Sequence, residues 1–362
     1  LEGINDLISG FLVRLRQVIL LVLALVLMVL PKGSASALAP VFLCETNSVT
    51  TTLISQTSQT MWADWIRKLS GEAVVLIRGE EHTITSRYSY SMFDGSTNAR
   101  AYDFVLETLQ EWYADEAIEE DPYGNTSWKN LILTIPGSSR PDEVIIMSAH
   151  LDSISRTSPT LFAPGAEDNA SGSAALLEAA RLLRGFQFSR TIKLIWFTGE
   201  EQGLYGSRAY VEDHDLSGVL GVLNLDMYGY DSDDDGCFEL HVGTLETSAP
   251  VGLCMVESIA AYEIPLTFDY FTTGATTASD HSSFWEKGIG AVEIGENFEF
   301  NNFADGCVGR DLNPNYHTAG DTIDKLNLPV GFNITKAALA TLFNMAGEPP
   351  PYYPVFLPIL VK

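Results

Sequence analysis

The chain has 362 residues, 46% of them apolar and 19% charged, and 21 basic against 47 acidic residues leave a net charge of −26. That length can bury one large core or two modest ones, and the charge argues against nucleic acid, whose phosphates would be repelled. The acidity suits solubility and, as a weaker indication, a cationic substrate such as a free amino terminus.

Near the start, Arg14 and Arg16 precede Val18 to Leu30, thirteen apolar residues without a break. This run is short for a bilayer span and right for the core of a signal peptide. Ala35-Ser36-Ala37 then satisfies the A-x-A cleavage pattern, so residues 1–37 are expected to direct export and be removed, an uncleaved membrane anchor being the alternative. Four cysteines (Cys44, Cys237, Cys254, Cys307) follow the cut, none in a C-x-x-C arrangement. In an exported chain they allow one or two disulfides, with three full pairings open. The expected location is extracellular or periplasmic, with no membrane insertion after cleavage.

Residues 38–64 are polar and Thr/Ser-rich, turning helical from Met61 to Leu69. Ala101 to Tyr113 carries Tyr102, Val105, Leu106, Leu109 and Trp112 at helical spacing. Leu131–Thr134 and Glu143–Ser148 read as short strands separated by turn signals at Pro136-Gly137 and Pro141-Asp142. Strands and helices then alternate: strand 144–149, helix 171–183, strand 192–198, helix 203–211, strand 219–227, helix 251–262, a short helix 282–287, strand 289–294 and a closing helix 330–345. Such alternation predicts an α/β domain with a mostly parallel sheet and helices on both faces. In these sheets ligands bind beyond the carboxyl ends of the strands, where His150, Glu200, Glu201 and Asp226 stand. Residues 347–362 form a Pro-rich tail.

The chemistry concentrates at those ends. His150 and Asp152 alternate on an extended run, so the carboxylate can reach the ring and orient it. Asp168 follows the Pro164-Gly165 turn and precedes a helix, where it could equally be a cap. Glu200-Glu201 follows the apolar run Ile192 to Phe197, and two adjacent carboxylates there are costly unless used. One can bind metal while the other acts as a base. Asp226 closes Val222 to Leu225, and His317 lies in a loop before Asp321-Thr322. Imidazole and carboxylate together are the donor set of a borderline cation such as zinc.

These segments, taken in order, resemble the M28 family of zinc aminopeptidases. They are H-L-D-S from His150, P-G-A-x-D-x-A-S-G from Pro164, G-E-E-x-G-L-x-G-S from Gly199, L-D-M from Leu225, S-D-H from Ser279 and H-T-x-x-D-T from His317. The resemblance spans about Trp65 to Met345 and implies a phosphorylase/hydrolase-like three-layer α/β sandwich over residues 65–346. It implies two zinc ions per chain, Asp168 bridging them, His150 and Asp226 completing one site, Glu201 and His317 the other. Glu200 would be the general base and Asp152 the partner of His150. The implied activity is removal of apolar amino-terminal residues from peptides by a monomer.

The chain departs from some secreted members in lacking a Tyr and a cysteine pair before Ser279; it has Gly274-Ala275-Thr276-Thr277-Ala278. Asp280 and His281 are expected behind the ligands. Met227 and Tyr316 could line a side-chain pocket or simply pack. Asp231 to Gly236 reads D-x-D-x-D-G, the opening of a calcium loop, but Val242 at the twelfth position excludes an EF-hand, leaving a looser calcium site or a solvated acidic turn. Competing readings are an M28-type carboxypeptidase, for which Arg208 and Arg310 are the basic candidates, a glutaminyl-cyclase-like enzyme, and a non-catalytic binding module. The sequons at Asn125 and Asn333 carry meaning only in a glycosylating host.

Overall fold

In β5 (Arg140–His150) Ile145, Met147 and Ala149 enter one hydrophobic core while Ile146 enters a second on the opposite face. The same alternation sends Leu194 and Trp196 of β6 (Arg190–Phe197) to the first core and Ile195 and Phe197 to the second. A strand that is apolar on both faces must be covered on both, which is the reason for helix layers above and below the sheet. This computed structural model describes residues 40–91, 97–124, 127–299 and 306–348. The expected signal segment, most of the Pro-rich tail and the Asn125 sequon lie outside the described residues.

Among the described residues the main sheet has eight strands. Its remaining members are β3 (Ile118–Pro122), β4 (Lys129–Ile135), β7 (Val219–Leu225), β8 (Cys237–His241), β9 (Thr267–Phe271) and β10 (Ala291–Glu296), and the order is β3-β4-β6-β5-β7-β10-β8-β9. The central strands β6, β5, β7 and β10 are mutually parallel, β8 and β9 are parallel to each other, and β3–β4, β4–β6 and β8–β10 pair antiparallel. A separate hairpin joins β1 (Val75–Ile77) to β2 (Glu80–His82). This is the expected mixed, mostly parallel α/β architecture.

The larger core receives residues of α1 (Ser48–Ser55), α2 (Gln59–Leu69), α3 (Thr97–Trp112), α4 (Gly172–Leu183), α6 (Ala249–Ala261) and α8 (Leu328–Ala346). The smaller core takes Tyr210 and Val211 of α5 (Tyr205–Asp213) and Phe284 of α7 (His281–Glu286). Two disulfides, Cys44–Cys254 and Cys237–Cys307, resolve the pairing left open by the sequence. Among the described residues no helix is long and apolar enough to cross a membrane.

Pro141-Asp142 is not a turn. β5 runs through it, and the ladder to β6 shifts register between Arg140 and Val144, so the proline occupies an irregularity where no ladder hydrogen bond is required of it. The strand expected at 289–294 begins at Ala291 and runs to Glu296.

Candidate metal centre

The chain leaves β5, crosses to β6 on one side and returns to β7 on the other, so the carboxyl end of β5 is a topological switch point, where parallel sheets open a crevice. His150 is the last residue of β5, and Asp226 follows the last residue of β7. Glu200 and Glu201 lie in the turn between β6 and α5, Asp168 in the irregular turn Ala166–Ser171 ahead of α4, and His317 in the loop before α8.

These side chains converge around Asp168. Its Oδ1 lies 3.2 Å from His150 Nε2 and its Oδ2 lies 3.1 Å from His317 Nε2. His150 Nε2 is also 3.1 Å from Asp226 Oδ1, and His317 Nε2 is 2.9 Å from Glu201 Oε2. His150, Asp168 and Asp226 therefore form one donor group and Asp168, Glu201 and His317 a second, each with its ligand atoms within 4.8 Å of one another. Glu200 is not in either group; its Oε2 stands 4.0 Å from His150 Nε2.

Asp152 was expected to orient the imidazole through its carboxylate, and the structure gives that carboxylate other partners. His150 Nδ1 is 3.1 Å from the backbone carbonyl of Asp152 but 3.7 Å from its carboxylate Oδ1. The carboxylate instead accepts the amide N–H groups of Glu200 and Glu201, both at 3.3 Å. It thus ties the strand end that carries His150 to the turn that carries both glutamates.

The electrostatics are those of a site short of cations. Burial would lower His150, yet the charges of Asp226 and Glu200 and the acceptors that Asp152 and Asp168 offer its ring hold it well above the usual imidazole range. His317 is pushed up to about 9 against its burial by Asp168 and Glu201. Burial and the charge of Asp168 push Glu201 up to about 8, and burial, opposed by His150 but aided by Asp226, raises Glu200 well above its ordinary value. Asp168 alone goes down: the bonds to His150 and His317 outweigh its burial. With these acids raised, the two imidazoles do not neutralise the buried carboxylates around them. Glu201 Oε1, moreover, is buried without a hydrogen-bond partner. Mixed nitrogen and oxygen donors around shared negative charge fit borderline divalent cations such as zinc.

Three supports escaped the sequence reading. Arg87, fully buried, donates to the carbonyls of Leu69, Leu151, Pro164 and Gly165, and so pins the segments bearing Asp152 and Asp168. A lone arginine in a polar stretch carries no periodic signal. Asp321 accepts the N–H of Glu167 and of Asp168 at 3.0 and 3.1 Å, cradling the Asp168 turn. It stands within the H-T-x-x-D-T segment, so its signal was present. Glu167 accepts from the N–H of Gly229 and Tyr230 and from Asn313 Nδ2, joining that turn to the loops after Asp226 and before His317.

Ser279 Oγ donates to Asp226 Oδ2 at 2.7 Å and accepts from Asn224 Nδ2. Asp280 is buried, and burial pushes it up to about 7. His281 Nε2 faces the carbonyl of Thr276, its ring set edge-on to Trp285 and its charged form disfavoured by burial. Tyr316 stacks on His317 with ring centroids 3.7 Å apart, and Met227 adopts a left-handed backbone beside Asp226. Arg208 and Arg310 are both exposed.

Fold and donor set together define a metal-dependent α/β hydrolase. Residues 130–342 match peptidase family M28. A probable leucine aminopeptidase of Arthroderma otae is 31% identical over 275 residues, 68% of this chain and 68% of that protein. The LapA aminopeptidase of Legionella pneumophila has the same fold, with a TM-score of 0.66 at 24% identity over 85% of this chain and 77% of that one. BSAP, a zinc aminopeptidase from Bacillus subtilis, reaches a TM-score of 0.50 at 27% identity over 61% of this chain and 50% of its own. The glutaminyl cyclase of Porphyromonas gingivalis shares the fold at 18% identity, TM-score 0.60, over 79% of this chain and 98% of that one. The chain belongs to peptidase family M28 and is a metallo-aminopeptidase.

Proposed function

We propose that the protein is an exported aminopeptidase that holds two zinc ions and releases apolar residues from the amino termini of peptides. The observation that carries the reading is Asp168, whose two oxygens face two different histidines, His150 at 3.2 Å and His317 at 3.1 Å. A carboxylate placed so would serve two cation sites at once. His150 and Asp226 complete one, Glu201 and His317 the other.

Zinc held there supplies Lewis-acid polarisation of the scissile carbonyl and acidifies the attacking water. Glu200, buried beside His150 and outside both donor groups, is the base that accepts the water's proton and passes it to the leaving amine. Asp152 holds Glu200 and Glu201 by their backbone N–H groups. The acidic surroundings favour a substrate whose α-amine is charged. Similarity to leucine aminopeptidases supports the apolar preference. Both disulfides, and the arginine-flanked apolar run Val18 to Leu30, support export. Solvent-exposed Arg208 and Arg310 give no support to a carboxypeptidase, which needs a cation inside the site.

The test compares the parent with Glu200→Gln for zinc content and for release of leucine from leucine p-nitroanilide. About two zinc ions in both proteins, with kcat lower by roughly 10³-fold or more only in the variant, is the expected result. One zinc or none in the parent overturns the two-ion assignment. Two zinc ions with turnover only of amino-terminal glutaminyl peptides overturns the aminopeptidase assignment in favour of a cyclase.

A further inference from the structure

Three carboxylates of the acidic turn Asp231 to Gly236 are joined by one that the sequence could not associate with them. Asp311, from the segment beyond β10, joins Asp231, Asp233 and Asp235, and one oxygen from each lies within 4.8 Å of the others. Asp311 is 2% exposed. Its Oδ1 accepts from the N–H and the hydroxyl of Ser232, whereas its Oδ2 is buried and has no hydrogen-bond partner. A solvated acidic turn does not account for that oxygen, because burying an unpaired carboxylate oxygen is unfavourable, and holding its carboxylate within reach of three others adds repulsion. A cation among the four removes both costs.

The cluster is built rather than accidental. Asp231 accepts the N–H of Asp234 and of Gly236, which curls the turn around its own carboxylate, and Asn327 Nδ2 donates to both Asp231 and Asp234. The disulfide Cys237–Cys307 joins the residue that follows the turn to the segment that leads into Asp311. Both halves of the cluster are thereby held together by a covalent bond. Burial first, with the neighbouring charges of Asp311 and Asp233, raises Asp231 and Asp235 above ordinary carboxyl values.

We propose that Asp231, Asp233, Asp235 and Asp311 bind one calcium ion, separate from the two zinc sites. The donors are oxygen only, which selects a hard cation over zinc. Calcium–oxygen distances of about 2.4 Å place opposed ligands roughly 4.8 Å apart, whereas magnesium demands a tighter octahedron near 2.1 Å. The position also suggests what the ion does. The turn lies just beyond Asp226, and Asp311 lies just ahead of His317. Glu167 already ties the two loops together through Gly229, Tyr230 and Asn313. An ion bridging Asp231 and Asp311 would fix the same two loops from the outer side and hold a ligand of each zinc site in place.

The experiment uses the zinc-loaded protein, freed of weakly bound ions on a chelating resin and titrated separately with calcium chloride and magnesium chloride. Bound calcium is counted by equilibrium dialysis with radioactive calcium and Tm is followed in parallel. The expected result is one saturable calcium per chain with Kd of about 10⁻⁴ to 10⁻³ M, and a Tm gain on the order of 5 °C well above Kd. Magnesium should give less than about a third of that gain. Asp311→Asn, and separately the exposed Asp235→Asn, should weaken calcium binding by roughly tenfold or more. Should Asp311→Asn fold poorly, the double variant of exposed Asp233→Asn and Asp235→Asn decides. No bound calcium and no shift at about 10 mM, an equal response to magnesium, or an unaltered titration in Asp235→Asn and the double variant would overturn the site.

Discussion

Asp152→Asn tests how the centre is held. Each Asp152 oxygen accepts one backbone N–H, from Glu200 and from Glu201, at 3.3 Å. Bonds to a charged acceptor are worth about 1.5–3 kcal/mol, and at this length the lower value applies. Asparagine keeps one acceptor and turns an N–H donor toward the other amide, so one bond is lost and one buried donor is left unpaired. Together that is about 3 kcal/mol. Expressed in the placement of Glu200 and Glu201, it predicts a fall in kcat/KM of roughly 10²-fold, with KM changed less than about threefold. The assay is leucine p-nitroanilide turnover alongside zinc analysis, with circular dichroism to confirm folding. A variant within about threefold of the parent in kcat/KM refutes the reasoning. Full recovery on adding zinc also refutes it, since the effect would then act through metal retention at His150.

Arg87→Met leaves the carbonyls of Leu69, Leu151, Pro164 and Gly165 without their shared donor. A stability loss of about 4 kcal/mol or more in urea unfolding is expected, and a loss under about 1 kcal/mol contradicts the pinning role. At Gly165 (φ 53°) an added Cβ would collide with the carbonyl oxygen of Asp168. Gly165→Ala should therefore lower both Tm and zinc content, by about 2 kcal/mol or more of stability; unchanged values would show that the turn is not fixed. In the metal-free protein, Glu167 and Glu201 are held up to about 8 and Asp280 and Asp321 up to about 7, burial being the first cause of each. His317, raised to about 9, acts in the same direction. The folded chain then carries more protons than the unfolded chain across this range, so stability is fully present below the unfolded values and is lost as pH rises through the folded ones. Metal-free protein should melt lower at pH 8 than at pH 5.5, and zinc, which replaces the protons, should shrink or invert the difference. A higher melting point at pH 8 without metal contradicts this.

Much of the fold was legible because its central strands are local signals. Val144 to Ala149, Ile192 to Phe197 and Val219 to Leu225 are apolar runs that can only be buried on both faces, and helical periods separate them. Strands β8 and β9 were not legible. Glu239, His241 and Asp269 interrupt their apolar character, and only packing shows that all three are buried, with Glu239 bonded to His241. The edge strand β3 reads Ile-Glu-Glu-Asp-Pro and is recruited by its pairing with β4 rather than by its own composition.

The sequence by itself determined which residues could meet at the centre. Histidine or carboxylate follows each central apolar run, and the carboxyl ends of parallel strands share one edge of the sheet. Tertiary structure alone decided the distances, and with them the partners. Strand order brings Asp226 to His150, and the loop ahead of α8 delivers His317 to Asp168. Arg87, Glu167 and Asp321 then fix a turn that has no regular structure of its own. It likewise set Asp311 beside an acidic turn far upstream and chose the disulfide pairs. The physical reason is that periodicity records how a segment is buried against its immediate neighbours. Contacts between distant segments depend instead on sheet order, crossover direction and the burial of polar groups, which are properties of the folded whole.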